Sequence, residues 1–322
     1  MPSHSFDMVI DAHHHLWDPT RAPYPWLTAE LGPINRPMEF SELAPQLAAA
    51  GIDRTVVVQS AENDADTDYM LAVADAERAI GAVVAWLPLD RPADAAQRLQ
   101  EIEGHPAFRG VRSSINFEPD VEWLLRPDVG EGLALLAARG IPFDVVSVRR
   151  RHLELVPILS ERHPDLVMII DHLSKPPIGR DASWVSGWQQ NLRAAAANPN
   201  VLAKVSGLFP ARADLADWTA DDIRPFLHDA LDAFGAERLM WGSDWPIVDL
   251  AGGYAKAWAE LNRLFDELDP AEQLLVARVD EPDRVAVAVL RQAVEQPGRP
   301  RDAPLRRADD RDARHQGSAS IR

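Results

Sequence analysis

The chain has 322 residues, 46% hydrophobic and 26% charged, which is ample length and apolar content for one large core. A formal charge of −17 argues against nucleic acid or an anionic membrane as a partner, and the lack of cysteine excludes disulfides, thiolate metal sites and a cysteine nucleophile. No apolar stretch approaches the roughly 20 residues that span a bilayer, and no basic-then-apolar leader opens the chain, so cytoplasm is the expected compartment.

The first predicted element is a strand over residues 8–15, reading Met8-Val9-Ile10-Asp11-Ala12-His13-His14-His15. Side chains on a strand alternate faces, so His13 and His15 project together and His14 points the other way. A purification tag would occupy a polar terminal stretch, not the end of an apolar β-run. Further strands are expected over 55–60, 82–89, 108–113, 142–148, 166–172, 201–208 and 239–243. Helical patterns fall between them or follow the last, over 41–50, 67–80, 93–103, 132–139, 152–163, 184–197, 221–234 and 254–268. Short apolar runs alternating with helices indicate a parallel sheet covered by helices. Eight such units within about 270 residues predict an α/β fold of the (β/α)8, TIM-like barrel type, a single domain over residues 1–275. Neither GxGxxG nor GxxxxGK[ST] occurs, so no phosphate-cradling loop is expected.

A barrel carries its chemistry at the C-terminal ends of its strands. His13 and His15 end the first strand, Asp171-His172 ends the sixth, and Gly242-Ser243-Asp244 ends the eighth. Three histidines and an aspartate therefore converge on one mouth from three strands. Each alone has a plainer reading, since a strand-end aspartate often caps the next helix and a lone histidine is usually structural. The convergence itself is not required by hydrophobic patterning.

These residues carry a resemblance to the amidohydrolase superfamily, with His-x-His on strand one and aspartate on strand eight. More narrowly, the chain resembles the lactonase branch of amidohydrolase-2 type, which includes sugar-acid lactonases, pyrone-dicarboxylate lactonase and sulfomuconolactone hydrolases. The segments that carry it are Ile10-Asp11-Ala12-His13-His14-His15-Leu16-Trp17-Asp18-Pro19, Tyr24-Pro25-Trp26-Leu27, Gly110-Val111-Arg112, Asp171-His172-Leu173-Ser174-Lys175-Pro176, Lys204-Val205-Ser206-Gly207-Leu208 and Gly242-Ser243-Asp244-Trp245-Pro246. The resemblance implies a hydrolase that opens a sugar-acid or carboxylated lactone in carbohydrate or aromatic-acid catabolism. It also implies that metal-dependent and metal-independent modes both occur in the branch.

Ester hydrolysis needs a nucleophilic water, an acceptor for its proton and positive charge near the developing oxyanion. Asp244 and His172 are the expected catalytic residues, with Asp244 taking the water proton and returning it to the leaving alkoxide. His13, His15, His172 and Asp244 are the expected ligands of one divalent cation, zinc first. The same histidines could instead act as donors without a metal. No lysine ends strand four or five, so the carbamylated lysine of binuclear relatives is absent and one metal or none is expected. Arg112, Trp17, Ser206 and Trp245 are the expected substrate contacts, with Arg112 suited to bidentate recognition of a carboxylate. Arg149, Arg150 and Arg151 follow strand five but cannot all face one site. Lys175, three residues beyond His172, reads as a loop charge or a partner of the site residues. The expected partner is a small lactone, and a homo-oligomer is compatible with the sequence.

The ending departs from the branch, which closes on a Gly-x-Asn-Ala-like turn into a final helix. Beyond Leu275 this chain reads Val276-Ala277-Arg278-Val279-Asp280, and from Pro297 it holds seven arginines against four aspartates. That composition reads as a disordered tail over 276–322, with a frameshifted ending as the working explanation. Two other functional readings follow from the same sequence: a decarboxylase or C–C hydrolase of a related amidohydrolase branch, and an inactive barrel damaged at its final helix.

Overall fold

β-Branched and other apolar runs form the strands, and the computed structural model describes residues 8–209, 217–269 and 278–279. The strands are β1 (Met8–His14), β2 (Arg54–Val58), β3 (Ile80–Ala85), β4 (Phe108–Ser113), β5 (Phe143–Val145), β6 (Met168–Ile170), β7 (Val201–Val205), β8 (Leu239–Trp241) and β9 (Arg278–Val279). Each of the first eight pairs in parallel with its neighbour in sequence, and β9 adds to the free side of β1 in the antiparallel sense. The sheet curls until its first and eighth strands meet. His14 bridges Trp245 in parallel register, and His15 N–H donates to the Trp245 carbonyl at 2.7 Å. Asp244 N–H donates to the His13 carbonyl at 2.8 Å. The result is a nearly closed eight-stranded barrel, as the alternation of elements predicts.

Helices α1 (Phe40–Ala50), α2 (Asp64–Ala76), α3 (Pro92–Ile102), α4 (Pro127–Arg139), α5 (Arg150–Arg162), α6 (Ala182–Ala196), α7 (Ala220–Phe234) and α8 (Tyr254–Phe265) cover the outside. Their ends follow local chemistry. Asn63 caps α2 by accepting from Asp66 N–H at 3.0 Å, and Thr219 with Asp222 forms a capping box on α7. Helix α4 begins at Pro127, ahead of the expected residue 132, because proline preorganises a first turn and loses no hydrogen bond there. Several strands stop short of their expected ends. Residues 86–89, 146–148 and 206–208 leave the sheet, and Val146 and Val148 line the mouth.

The core has two compartments. A large one lies between sheet and helices, with Leu133, Leu136, Val156, Leu192 and Phe234 buried in it. A small one fills the barrel with Ile10, Ala12, Val56, Val58, Ala82, Val84, Ile169, Leu202 and Met240. Above this apolar plug the interior becomes charged, and above that layer it opens into a cavity. The expected tail lies outside the described residues, apart from the two residues of β9.

Candidate active site

Strict alternation from Ile10 and Ala12, which face the barrel interior, would send His13 outward. The register between β1 and β2 instead shifts between Asp11 and His14. A bulge of this kind re-aims side chains. His13 and His15 consequently face inward, and His14 faces out, with Nε2 3.0 Å from Thr55 Oγ1 and its ring beside Phe40. Burial pushes the His14 imidazole down to about 3, so it is neutral.

On the inner side, His15 Nδ1 lies 2.8 Å from the Val58 carbonyl, which assigns its proton to Nδ1 and leaves a lone pair on Nε2. His13 Nδ1 lies 3.3 Å from Asp171 Oδ1 and 3.2 Å from Lys204 Nζ. The two Nε2 atoms are 3.1 Å apart. Two ring nitrogens at that distance need a proton or a cation between them. Asp244 Oδ1 completes the cluster, at 3.8 Å from His13 Nε2, 3.6 Å from His15 Nε2 and 3.9 Å from His172 Nε2. A tetrahedral ion with bonds of about 2.0–2.1 Å sets its ligand atoms about 3.3 Å apart. The donor types suit a zinc-like ion, and the separations of 3.1–3.9 Å above bracket that spacing, with ligand atoms of His13, His172 and Asp244 all within 4.8 Å of one another. Among the described residues, His13, His172 and Asp244 form the one group of three potential ligand side chains gathered this closely.

The protonation states agree with that chemistry. Burial drives His13 well below the ordinary imidazole range against the pull of Asp171, and drives His172 down to about 3 against the pull of Asp244. Both are neutral donors of lone pairs. Burial by itself would raise the Asp244 carboxyl, but His172, the hydrogen bond to His15, Lys175 and His13 outweigh it and hold it well below the usual carboxylate range. Asp244 is thus an anion.

Beneath the cluster lies a layer of four buried charges, of which sequence reasoning assigned only Arg112 to the site. Lys204 on β7 contacts Asp144 on β5, lies 3.2 Å from Asp171 Oδ1 and is 3.2 Å from His13 Nδ1. Arg112 Nε donates to Asp171 Oδ2 at 2.8 Å, and its Nη1 donates to the Gln59 carbonyl at 2.9 Å. Two cations and two anions compensate one another, which is the condition for burying charge at tolerable cost. Burial would raise Asp171, yet Lys204, His13 and Arg112 keep it ionised. A legible signal existed, since Asp144 interrupts Phe143-Asp144-Val145 and Lys204 interrupts Leu202-Ala203-Lys204-Val205. A lone charge inside an apolar strand needs a buried partner.

The mouth is a cavity lined by His15, His172, Asp244, Arg112, Gln59, Ser60, Ser114 and Lys175 on its polar side. Trp17, Trp26, Phe117, Val146, Val148 and Ile247 form the apolar side. Trp17 lines it but directs its indole N–H away, to the Ile34 and Arg36 carbonyls at 3.2 and 2.8 Å. Trp26 meets Trp17 edge-to-face at 5.0 Å and donates to the Ser60 carbonyl. Ser206 sits behind His172, with Oγ 2.9 Å from Nδ1, and is not in the lining. Trp245 is buried outside the lining, where it joins β1 to the eighth strand. Arg112 lines the cavity, but Nε and Nη1 are already committed within the protein, so a two-pronged grip on substrate through those atoms is closed to it.

The amidohydrolase family model matches residues 10–277. The chain belongs to the amidohydrolase family. It is 36% identical over 259 residues to an L-fucono-1,5-lactonase from Burkholderia ambifaria, covering 78% of this chain and 86% of that one. It is 35% identical over 268 residues to an L-fucono-1,5-lactonase from Burkholderia multivorans, covering 78% and 88%. A crystal structure of an amidohydrolase from Burkholderia multivorans with bound Zn superposes with a TM-score of 0.78 at 32% identity, covering 89% of this chain and 99% of that one. As an amidohydrolase with lactonase relatives, the chain is a hydrolase.

Proposed function

We propose that this amidohydrolase opens the ring of a sugar-acid lactone, with Asp244 as the base and His13, His15, His172 and Asp244 as the residues that would hold one divalent cation. The observation that carries the reading is an ionised Asp244 facing three inward imidazoles on the floor of a half-apolar cavity. The lactonase names of the relatives support the ester class, and the zinc in the superposed structure supports the choice of ion. When bound, such an ion supplies Lewis-acid polarisation of the carbonyl and acidifies water.

The chain's own residues do the rest. Val58 and Asp171 hold the His15 and His13 rings so that both Nε2 atoms face Asp244. Asp244 accepts a proton from the attacking water and returns it to the ring oxygen as the C–O bond breaks. Trp17, Trp26 and Ile247 exclude water from one side and pack against the ring carbons. A panel of lactones followed by a pH indicator tests the activity directly, since ring opening to an ionised hydroxy acid releases one proton. Asp244→Asn keeps the shape and removes the base, so turnover should fall by about 10²- to 10⁴-fold. Near-normal turnover in that variant would assign the base elsewhere.

A further inference from the structure

Between Asp171 and the loop that follows, four consecutive non-glycine residues adopt left-handed backbone: His172 (φ 56°), Leu173 (φ 48°), Ser174 (φ 60°) and Lys175 (φ 48°). Left-handed conformation costs an L-residue about 1–2 kcal/mol, and a run of four persists only where the surroundings impose it. The run forms one left-handed turn, which brings positions three apart to the same side. His172 and Lys175 both line the cavity. The turn is anchored by Leu173, which is fully buried and whose carbonyl accepts from Trp188 Nε1 at 2.8 Å, and by Ser174 Oγ, 2.7 Å from Ser147 Oγ.

The Lys175 ammonium is placed with care. It donates to the Gly207 carbonyl at 3.2 Å, lies over the Phe209 ring at 5.1 Å and stands 3.8 Å from Asp244 Oδ2. Gly207 clears the space, because a Cβ there would come within 2.5 Å of Asp244 Oδ2, 2.9 Å of His172 Nδ1 and 2.9 Å of Lys175 Nζ. The two oxygens of Asp244 therefore have different neighbours, with Oδ1 toward the imidazoles and Oδ2 toward the ammonium. An ammonium has three donors, and the contacts above use one of them at hydrogen-bond distance. Arg112, the other cation in the lining, has Asp171 at 2.8 Å and so carries a compensated charge. Lys175 meets Asp244 only at 3.8 Å, beyond hydrogen-bond distance, and so keeps donors to offer at the cavity.

We propose that Lys175 is a catalytic residue that binds the lactone carbonyl oxygen and stabilises the oxyanion formed there, an inference that rests on the lactonase reading. Water oxygen bonds to the carbonyl carbon, the C=O π pair moves onto oxygen, and the water proton passes to Asp244. The oxyanion is held by hydrogen bonds from the ammonium, which keeps all its protons. Collapse restores C=O, breaks the bond to the ring oxygen, and the proton on Asp244 moves to that oxygen.

The test compares full-length wild type with Lys175→Met, Lys175→Gln and Lys175→Arg, on a lactone that wild type opens. Removing the charge should lower kcat by about 10²- to 10³-fold, as for loss of an oxyanion donor, with KM changed less than about threefold. Lys175→Arg should recover part of the loss. Bound metal by elemental analysis and the melting temperature should match wild type in all three, which a merely structural lysine would not leave untouched. A kcat within about threefold of wild type in Lys175→Met and Lys175→Gln, or a raised KM with unchanged kcat, would overturn the proposal and leave the lactonase reading standing. Loss of cooperative melting in all three variants would make Lys175 structural and overturn it as well. If wild type opened no lactone on the panel, the functional reading itself would fail and this inference with it.

Discussion

At the scale of single residues, the chain places ionisable groups where burial decides their charge. Asp66, at the start of α2, is fully buried and accepts from Ser60 N–H at 2.8 Å, Ala61 N–H at 3.0 Å and Tyr24 Oη at 2.9 Å. Burial outweighs these bonds and pushes its carboxyl up to about 6 from 3.8. In the native state the group then holds its proton to a higher pH than in the unfolded chain. Its cost is absent below pH 3.8, grows as the unfolded state ionises first, and is complete above about pH 6. The full cost is on the order of 3 kcal/mol. Asp66→Asn keeps an acceptor for the two backbone N–H groups and removes the titration. Urea unfolding at pH 4 and at pH 7.5 should therefore show the variant gaining on wild type as pH rises. Parallel pH dependence in the two proteins would place the titration on another group.

At the scale of elements, periodicity located all eight strand–helix units but not where strands hand over to loops. Nothing in Asp171-His172-Leu173-Ser174-Lys175 marks a left-handed turn, because none of these residues is glycine and the conformation is imposed by Trp188, Ser147 and the cavity wall. The converse case is Gly132, which sits inside α4 where glycine weakens a helix. A Cβ at Gly132 would come 2.5 Å from the Leu89 carbonyl oxygen and 3.0 Å from Leu89 Cα, so the helix lies directly on backbone. Propensity alone predicts that Gly132→Ala stabilises by about 1 kcal/mol. The contact reverses the sign, and the variant should lose about 1–3 kcal/mol in denaturant unfolding, as overpacked sites do. A more stable variant would show that α4 can lift off the 87–89 segment without cost.

At the scale of the whole molecule, the proposed cation ligands come from the first, sixth and eighth strand ends, so an ion held by them would tie the closing seam of the barrel. An ion that binds only the native state stabilises it by mass action, about 2.7 kcal/mol at a free concentration one hundred times Kd. Chelator-treated protein should therefore melt lower than protein given excess zinc, and elemental analysis should find at most one tightly bound ion per chain. Two ions per chain, or a melting temperature indifferent to zinc, would remove the mononuclear site. The (β/α)8 architecture, the sharing of one face by His13 and His15 with His14 opposed, and the placing of His172 and Asp244 at strand ends of the same mouth were all legible in the sequence. They depend on period and chain order, which are local properties. The phase of β1 was not legible, since the bulge that turns His13 inward arises from pairing with β2. Nor was the compensated layer of Lys204, Asp144, Asp171 and Arg112, whose members stand up to 92 positions apart in a chain of 322 and meet only when four strands share one barrel interior. Residue type and spacing determine which groups a strand end can present. Which of them already have partners, and which are left to meet a substrate, is set by distances across the barrel that only the closed sheet defines.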